Sequence, residues 1–200
     1  MIGINGIGMS GLAKILVDQG HTVSGSDASP VKDQSFFTNL NIQVHIGHCA
    51  SHIKAHMTIV YSSAIKDTNV ALIEAKSLGC ACLKRGDVLA DIANACTQRL
   101  VISGTHGKTT SSALMAHIAD TQGESTSYFV GGHLTNKPHA SFNSPDCFIT
   151  EVDESDGSFL SILPTHLLIT NIELEHVNYY TSKTMLIDAF STLINATIAN

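Results

Sequence analysis

Charge is scarce in this chain: only 14% of its 200 residues are Asp, Glu, Lys or Arg, and the formal balance is −6. With no polybasic stretch, that balance argues against a broad nucleic-acid or anionic-membrane surface, although a local phosphate site needs only backbone amides and one or two cations. No apolar run reaches membrane-spanning length. The opening residues lack a basic segment, a sustained apolar core and a small-residue cleavage site, so no secretory leader is expected. Five cysteines, an odd number in irregular positions, do not make a disulfide framework and fit a reducing compartment. A cytoplasmic location is the expectation. No internal repeat and no low-complexity tract interrupts the chain. What remains is 44% hydrophobic residues, enough to bury a substantial core in one large domain or two small ones.

The stretch with the most chemistry is Leu100-Val101-Ile102-Ser103-Gly104-Thr105-His106-Gly107-Lys108-Thr109-Thr110. An apolar strand runs into a glycine-bracketed turn, then a lysine and two threonines. Gly104 and Gly107 permit a tight turn whose N–H groups converge on an anion. Lys108 adds a point charge for the outer phosphates, and Thr109 brings a hydroxyl suited to Mg2+. The helix expected through Ala113, Leu114 and Ile118 aims its positive end at the same spot. The glycines are one residue closer than in the general Gly-x4-Gly-Lys-[Ser/Thr] pattern. The competing reading is an ordinary strand-to-helix turn with a surface lysine.

Residues 1–27 read as strand, glycine loop, helix, strand. Met1 to Ile4 form a short strand, Gly6, Gly8 and Gly11 fit Gly-x-Gly-x-x-Gly, and Leu12, Ile15 and Leu16 make a helix face. Thr22 to Gly25 form the second strand, and Asp27 follows it where an acidic group commonly meets a ribose hydroxyl. A nucleotide-type ligand or a merely structural turn would both explain the glycines. From 31 to 96, strands at Thr58–Tyr61 and Cys80–Leu83 alternate with helices at Val70–Leu78 and Val88–Ala95, which implies a mostly parallel sheet. His45, His48, His52 and His56, with Cys49 among them, have loop-like surroundings and read as solvated or hydrogen-bonding groups rather than metal ligands.

A boundary is expected near 96, giving domains 1–96 and 97–200. After the cradle come strands at Ser127–Val130, Cys147–Thr150 and Leu167–Thr170, and a closing helix with Met185, Leu186, Ala189, Phe190, Leu193 and Ile194 at helical spacing. Glu151 ends a strand at the edge where ligands of open α/β sheets gather, and is the leading magnesium ligand. Asp153 and Glu154 are substrate-side groups or supports. His176 ends another strand and could join a second divalent ion, oriented by Glu173 or Glu175. A solvated acidic loop and a packed histidine are the plainer alternatives.

Taken in order, Gly6-Ile7-Gly8-Met9-Ser10-Gly11-Leu12-Ala13, Ser24-Gly25-Ser26-Asp27, Tyr61-Ser62-Ser63-Ala64-Ile65, Gly104 to Thr110, Glu151 to Leu160, and Thr170-Asn171-Ile172-Glu173 with His176 resemble the Mur ligases of peptidoglycan synthesis. The likeness covers essentially the whole chain and is greatest to the branch that joins L-alanine to UDP-N-acetylmuramate. It implies a Rossmann-like, parallel-sheet UDP-sugar-binding domain followed by part of a P-loop-type α/β ATPase domain. ATP and Mg2+ are the implied cofactors. The resemblance places ATP on Gly104, Thr105, His106, Gly107, Lys108, Thr109 and Thr110, one Mg2+ on Thr109 and Glu151, and a second ion on His176. Lys108, Glu151 and His176 become the catalytic set. The UDP-sugar would lie on Gly6, Gly8, Met9, Ser10, Asp27 and Ser63, with Glu154 and Ser155 also on the substrate side. ATP would phosphorylate the substrate carboxylate, and the amine of L-alanine would displace phosphate.

The sequence departs from the family pattern at Asn5, Ser141, Glu175 and Asn178, which bears on metal geometry and substrate grip. The family's C-terminal domain and its adenine-holding residues have no counterpart in these 200 residues. The expectation is therefore little or no ligase activity from this chain alone. A non-catalytic binding fragment, and the related ligase that adds a preformed tripeptide, are the alternatives.

Overall fold

A computed structural model describes residues 1–153, 161–173, 180 and 182–198. The chain divides into two compact units, Met1–Val88 and Leu89–Asn200.

In the first unit, α1 (Ile7–Asp18), β1 (Ser24–Asp27), α2 (Gln34–Asn39), β2 (Gln43–Ile46), β3 (Ile59–Tyr61), α3 (Val70–Ser77) and β4 (Cys82–Lys84) alternate, and α4 (Arg85–Asn94) follows. Two of these helices, α2 and α3, start where a side chain satisfies their first amides. The Asn69 carbonyl accepts from the amides of Ala71 and Leu72 at 3.0 and 3.3 Å, and the Asp33 carboxylate accepts from Phe36 at 3.0 Å. β1 pairs parallel with β2, and β3 pairs parallel with β4. The strand expected over Met1–Ile4 is reduced to Ile2, which makes single parallel bridges to Ser26 and to Tyr61. Ile4 is fully buried against the backbone of Gly25, where a Cβ would collide with its side chain. His45, expected in a loop, lies on β2, and its ring stacks on His52 with centroids 4.0 Å apart.

In the second unit, β5 (Gln98–Ser103), α5 (Lys108–Thr121), β6 (Ser127–Phe129), β7 (Ala140–Ser141), β8 (Cys147–Glu151), β9 (His166–Ile169) and α6 (Lys183–Ile198) build one sheet in the order β7-β6-β8-β5-β9. Every pairing is parallel except the antiparallel β6–β7 pair. Ser141, expected in a loop, belongs to β7, where its hydroxyl donates to Asn143 at 2.9 Å. Ile102, Ala116, Tyr128, Val130 and Ile149 form a core between sheet and helix. Each large apolar side chain so buried is worth about 1.5–3 kcal/mol. β5 lies between β8 and β9, so the loop leaving its C-terminal end lies between the ends of those two strands.

All five cysteines are free thiols. Burial pushes the Cys96 and Cys147 thiols up from their ordinary range, which leaves them poor nucleophiles. No helix among the described residues is long and apolar enough to cross a membrane.

Candidate nucleotide and magnesium site

The loop from Gly104 to Gly107 takes two left-handed steps, with φ of 126° at Gly104 and 82° at Gly107. Glycine is required at 104 for a second reason: a Cβ there would strike Thr170 and the backbone of Asn171. Gly107 caps α5, and the next amides start a helix without acceptors inside it. The Thr105 and His106 amides are already engaged, by the Asn171 carbonyl at 3.1 Å and the Asn171 side-chain oxygen at 3.0 Å. The anion-facing part of the loop is consequently the start of α5 rather than the whole turn. The Lys108 ammonium folds back to donate to the carbonyls of Gly104 and Thr105, with Asp153 3.9 Å away. Thr110 and His106 are exposed, whereas Thr105 is buried, its hydroxyl exchanging hydrogen bonds with the Glu173 backbone.

β8 delivers Glu151 to this edge. The Thr109 hydroxyl donates to Glu151 Oε1 at 3.1 Å, Ser112 donates to Oε2 at 2.8 Å, and the Gly131 amide donates to Oε1 at 3.0 Å. A Cβ on Gly131 would occupy the space of that carboxylate oxygen. A carboxylate beside a threonine hydroxyl, at the positive end of α5, is a hard-oxygen donor set of the kind that suits magnesium and not a soft metal. Ser112 and Gly131 fix the direction of the carboxylate, a supporting role that sequence reading missed; serine at the fifth position of α5 faces β8 because it is one helical turn beyond Lys108 and Thr109. Glu154, Ser155, Glu175, His176 and Asn178 lie outside the described residues, so the second-ion reading rests on sequence alone.

In the first unit, Gly6 caps α1, Asp27 ends β1 and Ser63 follows β3, so all three stand at the C-terminal edge of the strands. The Asp27 carboxylate accepts from the amides of Asn5 at 2.9 Å and Ser29 at 3.0 Å, which ties the glycine loop to the end of β1. Asn5 also donates from its side chain to the Ser29 and Pro30 carbonyls, which gives this departure a structural job. Met9 is 2% exposed and packs in the core, and the Ser10 hydroxyl bonds back to the Ile7 carbonyl at 3.1 Å. Gly8 stays open to a residue that the sequence did not single out: Arg85, whose Nε and Cζ lie 3.3 Å from the point a Cβ on Gly8 would occupy. A guanidinium thus sits on the first turn of α1, suited to a diphosphate.

An interior parallel strand, a glycine turn, a lysine and a hydroxyl set against a neighbouring strand-end carboxylate define a P-loop-type α/β protein preceded by a Rossmann-like unit. The sequence profile described as Mur ligase family, catalytic domain, matches residues 1–97. The UDP-N-acetylmuramate--L-alanine ligase of Hydrogenobaculum sp. is 40% identical over 195 residues, which is 97% of this chain and 43% of that protein. That of Aquifex aeolicus is 36% identical over 196 residues, covering 98% and 43%. The crystal structure of UDP-N-acetylmuramate-alanine ligase from Thermotoga maritima superposes with a TM-score of 0.88 at 26% identity, over 96% of this chain and 45% of that one. The chain belongs to the Mur ligase family, and it spans less than half the length of these relatives.

Proposed function

We propose that these residues form the UDP-sugar-binding unit and part of the ATP-binding unit of a ligase that joins L-alanine to UDP-N-acetylmuramate. The observation that carries the reading is the 3.1 Å contact between the Thr109 hydroxyl and Glu151, made between the start of α5 and the end of β8 by residues 42 positions apart. In this reading ATP lies on residues 104–110, and Thr109 and Glu151 would hold a magnesium ion, which would supply charge neutralisation for the phosphoryl group. Lys108 swings from the Gly104 and Thr105 carbonyls to the outer phosphates, exchanging neutral acceptors for charged ones. A carboxylate oxygen of the sugar nucleotide attacks the terminal phosphorus and ADP leaves. The L-alanine amine then attacks the acyl carbon, loses a proton, and phosphate departs with the C–O bond electrons. The positive end of α5 is a stabiliser that needs no rearrangement as charge moves, and Glu151 would contribute only through the ion it would hold. The first unit holds the uridine diphosphate through the start of α1, Arg85 and Asp27. A cytoplasmic location follows from the same assignment.

Calorimetric titration tests this. ATP is expected to bind more tightly with magnesium than without it, and UDP-N-acetylmuramate to bind where an unrelated dinucleotide does not. Absence of binding by any uridine nucleotide, together with magnesium-independent ATP binding, would overturn the assignment.

A further inference from the structure

The Lys108 ammonium, at the first position of α5, is largely shut away from water: the side chain is 14% exposed. An ammonium has three protons to place and no acceptor of its own. It donates to the backbone of the turn before it, to the Gly104 carbonyl at 2.5 Å and the Thr105 carbonyl at 3.2 Å. Neutral acceptors of this kind hold an ammonium less strongly than anions do. The Asp153 carboxylate lies 3.9 Å from the same nitrogen, and its side chain is 56% exposed. That distance is too long for a hydrogen bond and short enough for an ion pair, so the attraction is a Coulomb one that can be broken without leaving a buried orphan.

Asp153 reaches this place because the backbone beyond β8 stays sewn to β5. The Val152 amide donates to the Ile102 carbonyl at 2.9 Å, and the Val152 carbonyl accepts from the buried Ser103 hydroxyl at 3.4 Å. Side chains alternate along an extended backbone, which puts Glu151 and Asp153 on one side and the buried Val152 on the other. The two carboxylates divide the start of α5 between them. Glu151 takes the Thr109 and Ser112 hydroxyls, and Asp153 stands by Lys108.

We propose that Asp153 is a positioning residue that acts through Lys108, holding the ammonium down on the turn while no phosphate is bound and taking it back as phosphates leave. The proposal rests on the reading of residues 104–110 as the ATP site. Nucleotide then meets a lysine turned inward, and binding has to draw it outward against both carbonyls and Asp153. Apparent affinity is lowered by the fraction of molecules in which the lysine is free to swing. Asp153 therefore opposes nucleotide binding and favours ADP release, the reverse of what a ligand or a scaffold residue does. A half-exposed pair of this kind shifts an equilibrium by about threefold, enough to quicken release without closing the site.

The test is a double-mutant cycle on the full chain, with Asp153→Asn, Lys108→Met and the two together, titrated by calorimetry with ATP and magnesium up to millimolar nucleotide so that weak complexes are still read. Asp153→Asn alone is expected to tighten ATP binding by about threefold and to slow ADP release by a similar factor. In the Lys108→Met chain the same change is expected to alter affinity by less than about 1.5-fold, because the group it acts through is gone. Asp153→Glu, which keeps the carboxylate, is expected to stay close to the parent chain. Unchanged or weaker binding in Asp153→Asn would overturn the proposal, the weaker result marking a metal-holding or scaffold role. Equal tightening with and without Lys108 would overturn it too, since Asp153 would then be repelling phosphate directly. Each of these outcomes leaves the ATP site standing, whereas a parent chain without magnesium-dependent ATP binding would remove that reading and this proposal together.

Discussion

The side-chain amide of Asn171 pairs with the peptide unit of His106 in both directions, its oxygen accepting from the His106 N–H at 3.0 Å and its nitrogen donating to the His106 carbonyl at 2.9 Å. With Thr170 bonded to the same carbonyl and Thr105 bonded to the Glu173 backbone, the segment after β9 holds the turn along its length. Asn171→Asp keeps the shape and the acceptor but places an oxygen against the His106 carbonyl. One hydrogen bond worth about 1 kcal/mol is lost and a charged oxygen is set against a carbonyl, so ATP affinity is expected to fall by about tenfold or more. Titration with magnesium and ATP measures it, and far-ultraviolet circular dichroism checks that α5 persists. Undiminished affinity would show that the turn keeps its form without this clasp.

The strand–turn–helix unit around Lys108 was legible because every level of the sequence agrees there: an apolar run, glycines where φ is positive, then a helical period. Glu151 was legible as a carboxylate at a strand end. The clasp was not, because Asn171 and His106 are 65 residues apart and an asparagine after a strand has many uses. Arg85 belongs to no motif in the sequence, and only the fold brings it to Gly8. β2 escaped because Gln43–Ile46 is only four residues long, too short for its polar and apolar alternation to stand out beside the histidines that follow. Met9 and Ser10 illustrate the converse: a motif names neighbours in sequence, while the helix turns Met9 into the core.

Gly131→Ala is expected to act on the metal site without altering any ligand. The added methyl would occupy the place of Glu151 Oε1 and displace the carboxylate from Thr109 and from the Gly131 amide. Hydrogen bonds to a charged acceptor are worth about 1.5–3 kcal/mol, so the magnesium-dependent part of ATP affinity should drop by about tenfold to a hundredfold. Affinity in chelator should stay within about twofold, since the amides at the start of α5 are untouched. Glu151→Gln should give the same pattern by removing the charge. Equal losses with and without magnesium would count against the metal role.

Arg85→Gln addresses the first unit in the same way. The guanidinium over Gly8 is a cation at the positive end of α1, where a diphosphate would receive both backbone and fork-shaped donors. Its loss is expected to weaken UDP-N-acetylmuramate binding by about tenfold, with a shallower dependence on salt, and Arg85→Lys should recover only part. Calorimetry at two ionic strengths reads both effects. ATP binding to the second unit should not change, and a parallel loss there would point to a general defect in folding.

The buried amino terminus predicts a pH dependence with a definite sign. Burial lowers the Met1 ammonium from 8.0 to about 6, so between those values the folded chain releases a proton that the unfolded chain keeps. Stability therefore rises with pH across that window. Below about pH 6 both states are charged and the folded state bears the full cost; above pH 8 both are neutral and the cost is gone. A shift of about two units corresponds to roughly 2–3 kcal/mol. Urea unfolding at pH 5.5 and 8.5 should show a higher midpoint at the alkaline end. The difference should shrink in a chain acetylated at Met1, which keeps a donor for the Ser24 carbonyl but carries no charge at either pH. A gain in midpoint as large in the acetylated chain would assign the dependence to other groups.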